Sequence, residues 1–116
     1  MTLYEEILFL QGCFRGKWII ENVKSWYEPL IIPQNIASHY FWSNFVIGSM
    51  KIINRGMIGG KNKGWPSGEL KRLRKIKQFE LSKYGGINET RLLRNCVEPE
   101  VGKHILNCAF NKVSLF

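Results

Sequence analysis

The apolar positions at the start of the chain predict a helix followed by a short strand. From Leu3 to Phe14 they recur at three- and four-residue intervals, which places them on one face of a helix. Thr2 and Glu5 form the pattern of a capping box, in which a carboxylate bonds the backbone where a helix begins. Residues 18–20 are a continuous apolar run, typical of a strand covered on both faces. This order of elements favours an α/β fold.

The middle of the chain predicts a loop, a second strand and a glycine-rich segment. Pro29 and Pro33 favour an extended loop over residues 24–38, because proline disfavours helix at the residue before it. Residues 39–47 place apolar side chains alternately on two faces, which is the pattern of a strand. Glycine recurs through residues 48–68, so we expect a short, flexible, basic loop there.

The last third of the chain predicts helices. Residues 69–79 have basic outward positions and an inner apolar stripe, formed by Leu70, Leu73, Ile76 or Lys77, and Phe79. Either Asn88 or Thr90 is expected to cap a helix that runs through Leu93. Residues 98–110 predict a last helix, whose buried positions would be Val101, Ile105 and Leu106.

Size and composition fit one small globular domain. The chain has 116 residues, of which 45% are hydrophobic, so it is not compositionally disordered. No apolar run approaches the roughly 18 residues that a membrane span needs, and the acidic Glu5 and Glu6 argue against a secretory signal. Cys13, Cys96 and Cys108 lack the spacing of a disulfide framework or a zinc site. We therefore expect a cytoplasmic protein with no metal.

The positive charge is concentrated in one segment. Residues 51–77 contain nine Lys or Arg and one acid, and their net charge of +8 equals that of the whole chain. Such a segment can neutralise several phosphates with salt-dependent, sequence-independent affinity, which favours contact with nucleic acid. The alternative is a solvated loop and helix. The residues expected to contact DNA are Lys51, Arg55, Lys61, Lys63, Lys71, Arg72, Arg74 and Lys75.

A carboxylate closes the first predicted strand. Glu21 and Asn22 follow an apolar run, and an ionised carboxylate costs several kcal/mol to bury unless it is paired. Because open α/β sheets bind ligands at the carboxyl ends of their strands, Glu21 is a candidate site residue that we expect at a cleft. The ordinary alternative is that Glu21 and Asn22 begin a turn.

Three sequence blocks, in order, resemble the C-terminal part of a phage-type DNA (cytosine-5) methyltransferase. They are Glu-Asn-Val at 21–23, His-Tyr-Phe-Trp-Ser-Asn-Phe at 39–45, and Arg-Asn-Cys-Val-Glu-Pro at 94–99. The first matches the family's ENV motif, and the last resembles its final Gly-Asn-x-Val-Pro motif. The family also has an arginine just before the strand at 39, where this chain has Ile36, Ala37 and Ser38. No Gly-rich cofactor loop and no Pro-Cys nucleophile loop is found, so Met1 would follow the catalytic cysteine.

The resemblance implies roles for three residues. Glu21 would be the carboxyl group that acts at ring nitrogen-3 of a flipped cytosine, and Asn22 would fix Glu21 and its loop by hydrogen bonds. Asn95 would lie beside S-adenosylmethionine, which the chain would bind only together with a complementing N-terminal part. Cys13, Cys96, Cys108, His39 and His104 are expected to be structural.

The resemblance implies a partial Rossmann-like methyltransferase fragment, with a few strands, flanking helices and a short basic loop that resembles a recognition loop. Residues 1–47 would be the second half of the catalytic sheet, 48–68 the basic loop and 69–116 the C-terminal helices. The chain would be a fragment or subunit, inactive alone, that belongs to a restriction-modification or phage enzyme and either assembles with an N-terminal half or is a remnant. The alternative is a small phage-encoded inhibitor or regulator that binds nucleic acid.

Overall fold

The computed structural model describes residues 2–51 and 68–110, which form a mixed α/β protein. The chain divides into two compact units, one formed by residues 1–51 and 103–116 and the other by residues 52–102. The elements in chain order are α1 (Leu3–Cys13), β1 (Ile19–Val23), β2 (Gln34–Ile36), β3 (His39–Ser43), α2 (Glu69–Lys77), α3 (Glu89–Asn95) and α4 (Pro99–Phe110). The predicted loop at 48–68 lies outside the described residues except at its two ends.

The helix predicted at the start of the chain is confirmed as α1. Glu5 Oε2 accepts a hydrogen bond from the Thr2 backbone N–H at 2.8 Å, as the capping-box pattern predicts. Ile7 is buried on the inner face of α1, whereas the side chain of Phe14, just beyond the helix, is 50% exposed. The periodicity therefore predicted the helix and its buried residue, Ile7, correctly, but it wrongly included Phe14 in the apolar face.

The sheet of the first unit is antiparallel, in the order β1-β3-β2. Glu21 lies opposite Phe41, and Gln34 lies opposite Phe41 on the other side of β3. The expectation that β1 is covered on both faces is wrong, because alternate residues of this strand are exposed, starting with Ile19. A run of adjacent apolar residues does not by itself distinguish a strand buried on both faces from one buried on a single face.

The core of the first unit lies between α1 and one face of the sheet. Ile7 packs with Tyr40 and Trp42, and Ile20 lies at the edge of the same cluster. The Trp42 indole is 4% exposed, and its Nε1–H donates to the Ile31 carbonyl at 2.8 Å. A buried aromatic ring with a satisfied polar edge is an efficient core residue, because it removes a large apolar area from water without an unpaired donor.

The strand β3 ends at Ser43, earlier than the predicted end at residue 47. The Gln34 carboxamide explains this end, because Nε2 donates to Ser43 Oγ and to the Phe45 carbonyl while Oε1 accepts from the Ile47 N–H. These bonds satisfy backbone groups that would otherwise need a neighbouring strand. Residues 44–47 therefore lie beyond the strand, in a bend at 44 and 45 and irregular backbone after it.

The part of the second unit that the structure describes, residues 68–102, contains helices and no strand. Leu73, Ile76 and Lys77 of α2 are buried, together with Leu93 of α3 and Val101 of α4. Asn88 Oδ1 accepts from the Arg91 N–H at 3.0 Å, which identifies Asn88 rather than Thr90 as the helix cap. Phe79 is 43% exposed, so it is not part of the inner stripe, and in the first unit Leu106 is 59% exposed rather than buried.

An ion pair joins α2 and α3 in this unit. Arg74 donates from Nε and NH2 to the two carboxylate oxygens of Glu89, at 2.9 and 2.7 Å. The Leu81 N–H donates to the same carboxylate. The hydrogen bonds from Arg74 and then Leu81 hold the pKa of Glu89 below its ordinary value of 4.5.

Acid is therefore expected to weaken the second unit. A carboxyl group whose pKa is lower folded than unfolded stabilises the fold above its ordinary pKa, and the effect disappears as the pH falls through the lowered value. Thermal unfolding followed by circular dichroism at a series of pH values below neutrality should show a smaller acid-induced loss of Tm in Glu89→Gln than in the unaltered chain. Glu80→Gln is the control, because Glu80 lies 3.7 Å from the same arginine but is 63% exposed. Equal pH dependence in the unaltered chain and Glu89→Gln would contradict this account.

Candidate functional site

Glu21 lies in β1 on the face of the sheet that carries His39 and Phe41. The antiparallel register places Glu21 opposite Phe41, and His39 is two residues from Phe41 along β3. Side chains at diagonal positions of adjacent strands are close enough to contact one another. The Glu21 side chain is 35% exposed, so it lies at the border between solvent and two buried rings.

His39 is the buried partner of this carboxylate. Its Nε2 lies 3.6 Å from Glu21 Oε1, and its side chain is 4% exposed. On the other side of the ring, Nδ1 lies 3.5 Å from Ser38 Oγ. The Phe41 ring is tilted against the imidazole, with 6.4 Å between ring centroids. A carboxyl group beside an imidazole is a combination of side chains that general acid–base catalysis uses.

Asn22 does not contact Glu21. Alternation along β1 directs Asn22 to the opposite face, where its register partner is Tyr40. Asn22 Oδ1 accepts from the N–H of the next residue, Val23, at 3.0 Å. The carboxamide therefore bonds its own backbone at the end of β1, in the manner of a residue that terminates a strand.

The outer side of β1 is open. The sheet order places β1 at an edge, and within residues 2–51 and 68–110 no strand pairs with that side. Ile19 and Val23 flank Glu21 on this strand, and each is 38% exposed. An exposed apolar edge is a template for pairing with another strand.

A cleft of about 270 Å³ lies elsewhere in the first unit. Its walls are mostly aromatic and aliphatic, and they are formed by Ile7, Gln11, Trp18, Ile31, Ile32, Gln34, Phe41, Trp42, Ser43 and Asn44. Most of its polar groups are engaged internally, since Asn44 bonds the Gly16 carbonyl and the Trp18 N–H. Glu21 is not among the lining residues. This cleft is therefore not the one expected beside the Glu21 carboxylate.

The basic residues predicted to contact DNA differ in their surroundings. In α2, Lys71, Arg72 and Lys75 are exposed, whereas Arg74 is bonded to Glu89. Because Arg74 forms this ion pair, its charge is neutralised within the second unit. The sequence pattern of outward basic positions did not distinguish Arg74 from the exposed basic residues of α2. Lys51 is exposed in the first unit. Arg55, Lys61 and Lys63 lie outside the described residues.

Asn95 and the cysteines complete the predicted set. Asn95 is the last residue of α3 and is exposed, and the carbonyl of the next residue, Cys96, accepts from the buried Lys77 Nζ at 2.5 Å. Cys13 is exposed at the end of α1. Cys108 Sγ lies 3.6 Å from His104 Nε2, which donates to the Gly48 carbonyl at 2.7 Å.

Sequence reasoning missed two histidine contacts. His104 and Cys108 are four residues apart within a predicted helix, and this spacing alone would have been enough to predict their contact. The pair His39 and Glu21 had no such signal, because it depends on how β1 pairs with β3. In the described ranges no three metal-ligating side chains lie close enough together to hold a metal ion.

None of the described helices is long and apolar enough to cross a membrane. Comparisons of the chain with protein-family models, with curated proteins and with solved structures find no match.

Proposed function

We propose that this chain is the part of a DNA (cytosine-5) methyltransferase that supplies the Glu21 carboxyl group and contacts to DNA. Further polypeptide would supply the Gly-rich cofactor loop and the Pro-Cys thiolate. The resemblance of three ordered blocks supports this assignment, and the first block, residues 21–23, contains Glu21. The β-sheet would then be one portion of a larger Rossmann-like sheet in a cytoplasmic enzyme.

The open side of β1 is the observation that carries this proposal. The strand that holds Glu21 is an edge strand, and it exposes Ile19 and Val23 beside the carboxylate. A strand from a complementing part would satisfy the open backbone groups and cover these apolar side chains. The same event would enclose Glu21 next to whatever catalytic groups the complementing part contributes.

Glu21 is suited to the proposed step by its surroundings. When a thiolate attacks carbon-6 of cytosine, negative charge develops in the ring, and a carboxyl group at nitrogen-3 offsets this charge. The Glu21 side chain is exposed enough to meet a base, and one oxygen is directed by His39. Closing the site would strengthen its interaction with the base, because charges interact more strongly when water is excluded.

The cleft of the first unit does not fit S-adenosylmethionine on its own. Asn95 is exposed at the end of α3, and the cleft of the first unit has no carboxylate to hold ribose hydroxyls. The methyl donor is therefore assigned to a pocket formed mainly by the complementing part, with Asn95 beside it. The chain alone should bind the cofactor weakly.

Reconstitution tests the proposal. The chain is co-expressed with a polypeptide, encoded in a neighbouring frame, that carries the Gly-rich and Pro-Cys loops, and the purified complex is assayed for 5-methylcytosine formation in DNA. We expect the chain to be less soluble alone than in the complex, and to be required for activity. A chain whose solubility does not rise with this partner, or a partner that methylates DNA equally well without it, would contradict the proposal.

The exposed basic face of α2 favours a second candidate function. Lys71, Arg72 and Lys75 are available for phosphates, as a small nucleic-acid-binding inhibitor or regulator encoded by a phage would require. Such a protein would be a soluble monomer or dimer that does not respond to S-adenosylmethionine. It would also be indifferent to the loss of the Glu21 carboxylate.

Both functions make a common prediction for α2. Replacing Lys71, Arg72 and Lys75 together by alanine should weaken binding to duplex DNA and reduce the slope of log affinity against log salt by about 1 for each phosphate that is no longer neutralised. Fluorescence anisotropy over a range of salt concentrations measures both quantities. Lys83→Ala is the control, because this exposed lysine lies over the Tyr84 ring and outside the proposed face. An unchanged salt slope in the triple variant would exclude α2 as a phosphate-binding surface.

A further inference from the structure

We infer that His39 is the positioning residue for the Glu21 carboxylate. The Nε2 atom of its buried imidazole lies against Glu21 Oε1 and orients the carboxylate, so that the second oxygen can contact a ligand. The catalytic role of His39 rests on the proposed function. The coupling between the two side chains, meaning the contact of the imidazole with the carboxylate, rests on geometry alone. His39 is the first residue of the second sequence block, but the resemblance assigns it no role at Glu21.

The sheet register holds the two groups together. Glu21 is opposite Phe41 and Val23 is opposite His39, so the carboxylate and the imidazole occupy diagonal positions on one face. Glu21 is the middle residue of β1, and His39 is the first residue of β3. Because both lie on hydrogen-bonded strands rather than on a loop, their relative motion is limited. Groups placed on paired strands keep the alignment that a positioned catalytic carboxylate requires.

Both nitrogens of the ring lie near a side-chain oxygen. Ser38 Oγ lies 3.5 Å from Nδ1, and the positioning role requires the tautomer in which this nitrogen accepts and the ring hydrogen is on Nε2. Nε2 is the atom 3.6 Å from Glu21 Oε1. The Phe41 ring lies against the imidazole and restricts its rotation. The imidazole therefore lies between Ser38 Oγ and Glu21 Oε1.

The burial of the two partners is unequal, and this asymmetry points to a supporting role. The His39 side chain is 4% exposed, whereas that of Glu21 is 35% exposed. A group this deeply buried is not the one that first meets a base, but it can hold a more accessible neighbour.

Nuclear magnetic resonance tests the coupling in the full chain without any activity. The protein contains only two histidines, so His104 is an internal reference for His39. Imidazole ¹⁵N spectra at alkaline pH should show the Nε2–H form for His39. Glu21→Ala should shift the His39 nitrogen signals while those of His104 stay unchanged. An Nδ1–H form of His39, or His39 signals that do not respond to Glu21→Ala, would overturn the inference.

Kinetics of the reconstituted complex test the catalytic consequence. His39→Phe keeps a flat, apolar side chain but removes the donor, and it should lower kcat about 100-fold with little change in KM for DNA, because a misplaced catalytic group costs about that factor. His39→Gln restores an N–H donor and should recover at least a tenth of the lost rate. Equal losses in both variants would mean that His39 is only structural and would reject the inference.

The two experiments separate the inference from the proposed function. If the spectra show the coupling but the unaltered complex forms no 5-methylcytosine, the proposed function fails and the coupling between His39 and Glu21 stands. If the complex methylates DNA and His39→Phe leaves kcat unchanged, the proposed function stands and the positioning role fails.

Discussion

Trp42→Ala is expected to lower the free energy of unfolding by about 3–5 kcal/mol, the usual cost of removing a buried tryptophan side chain. Trp42 packs against Ile7 and Tyr40 in the core of the first unit. Its ring also lies edge-on to Tyr4, with 6.4 Å between centroids, and the substitution removes this aromatic pair. The Ile31 carbonyl would be left without its indole donor. Because small domains are stable by only about 5–15 kcal/mol, this one substitution removes a large share of the stability.

Urea denaturation followed by circular dichroism measures this effect, and the chain offers a matched control. Trp26 is 95% exposed and meets Tyr27 edge to face, so Trp26→Ala deletes the same side chain from the surface. We expect its effect to stay within about 0.5 kcal/mol, as for most surface substitutions. Similar destabilisation in the two variants would show that the indole between α1 and the sheet is not the centre of the core.

Local sequence signals predicted the helices well. The capping box located α1 because the bond between Thr2 and Glu5 joins residues three positions apart. Asn88 at the start of α3 is a signal of the same local kind. Such interactions depend on neighbours in sequence, so a pattern of residues is enough to predict them.

Interactions between distant residues were not predictable in the same way. The ion pair between Arg74 and Glu89 crosses 15 positions, and it commits an expected DNA-binding arginine to the fold itself. Gln34 ends β3 by bonding residues nine to thirteen positions away, although glutamine in a proline-rich stretch gave no such indication. Both depend on which elements pack together, which local periodicity does not specify.

The candidate site shows the same division. The sequence made Glu21 a candidate from the cost of placing a carboxylate after an apolar strand, and the structure places that carboxylate in β1 beside a buried imidazole. The sequence did not identify His39, because the partner becomes visible only when Val23 is aligned with His39 in the antiparallel register.

The free edge of β1 connects the fold to the proposed function. A strand that exposes Ile19 and Val23 on an open edge is prone to pair with another strand, and natural proteins usually cover or charge such an edge. Glu21 is the charge at its centre, so this residue has two physical effects. It discourages pairing with unsuitable strands, and in the proposed complex it would serve the chemistry.

Glu21→Gln is expected to lower the rate of cytosine methylation by the reconstituted complex by about 10²–10⁴-fold, the range for loss of a positioned general acid. The carboxamide keeps the size of the side chain, and its oxygen can still accept from His39 Nε2 at the position of Glu21 Oε1. It cannot transfer a proton to ring nitrogen-3, because an amide has no acidic group of suitable strength. The loss should therefore fall on kcat, with KM for DNA nearly unchanged.

Glu28→Gln removes the same charge from the same unit and is the control for this substitution. Glu28 is exposed in the loop after β1, so its replacement should leave kcat unchanged. Steady-state kinetics with tritiated methyl donor and equilibrium binding of DNA separate the catalytic effect from binding. If Glu21→Gln and Glu28→Gln are equally active, the carboxylate of β1 takes no part in methyl transfer, and the retained activity shows that misfolding cannot account for that result. If Glu21→Gln instead loses DNA affinity at full kcat, the residue serves recognition, because an interaction made equally in the ground state and the transition state changes KM alone.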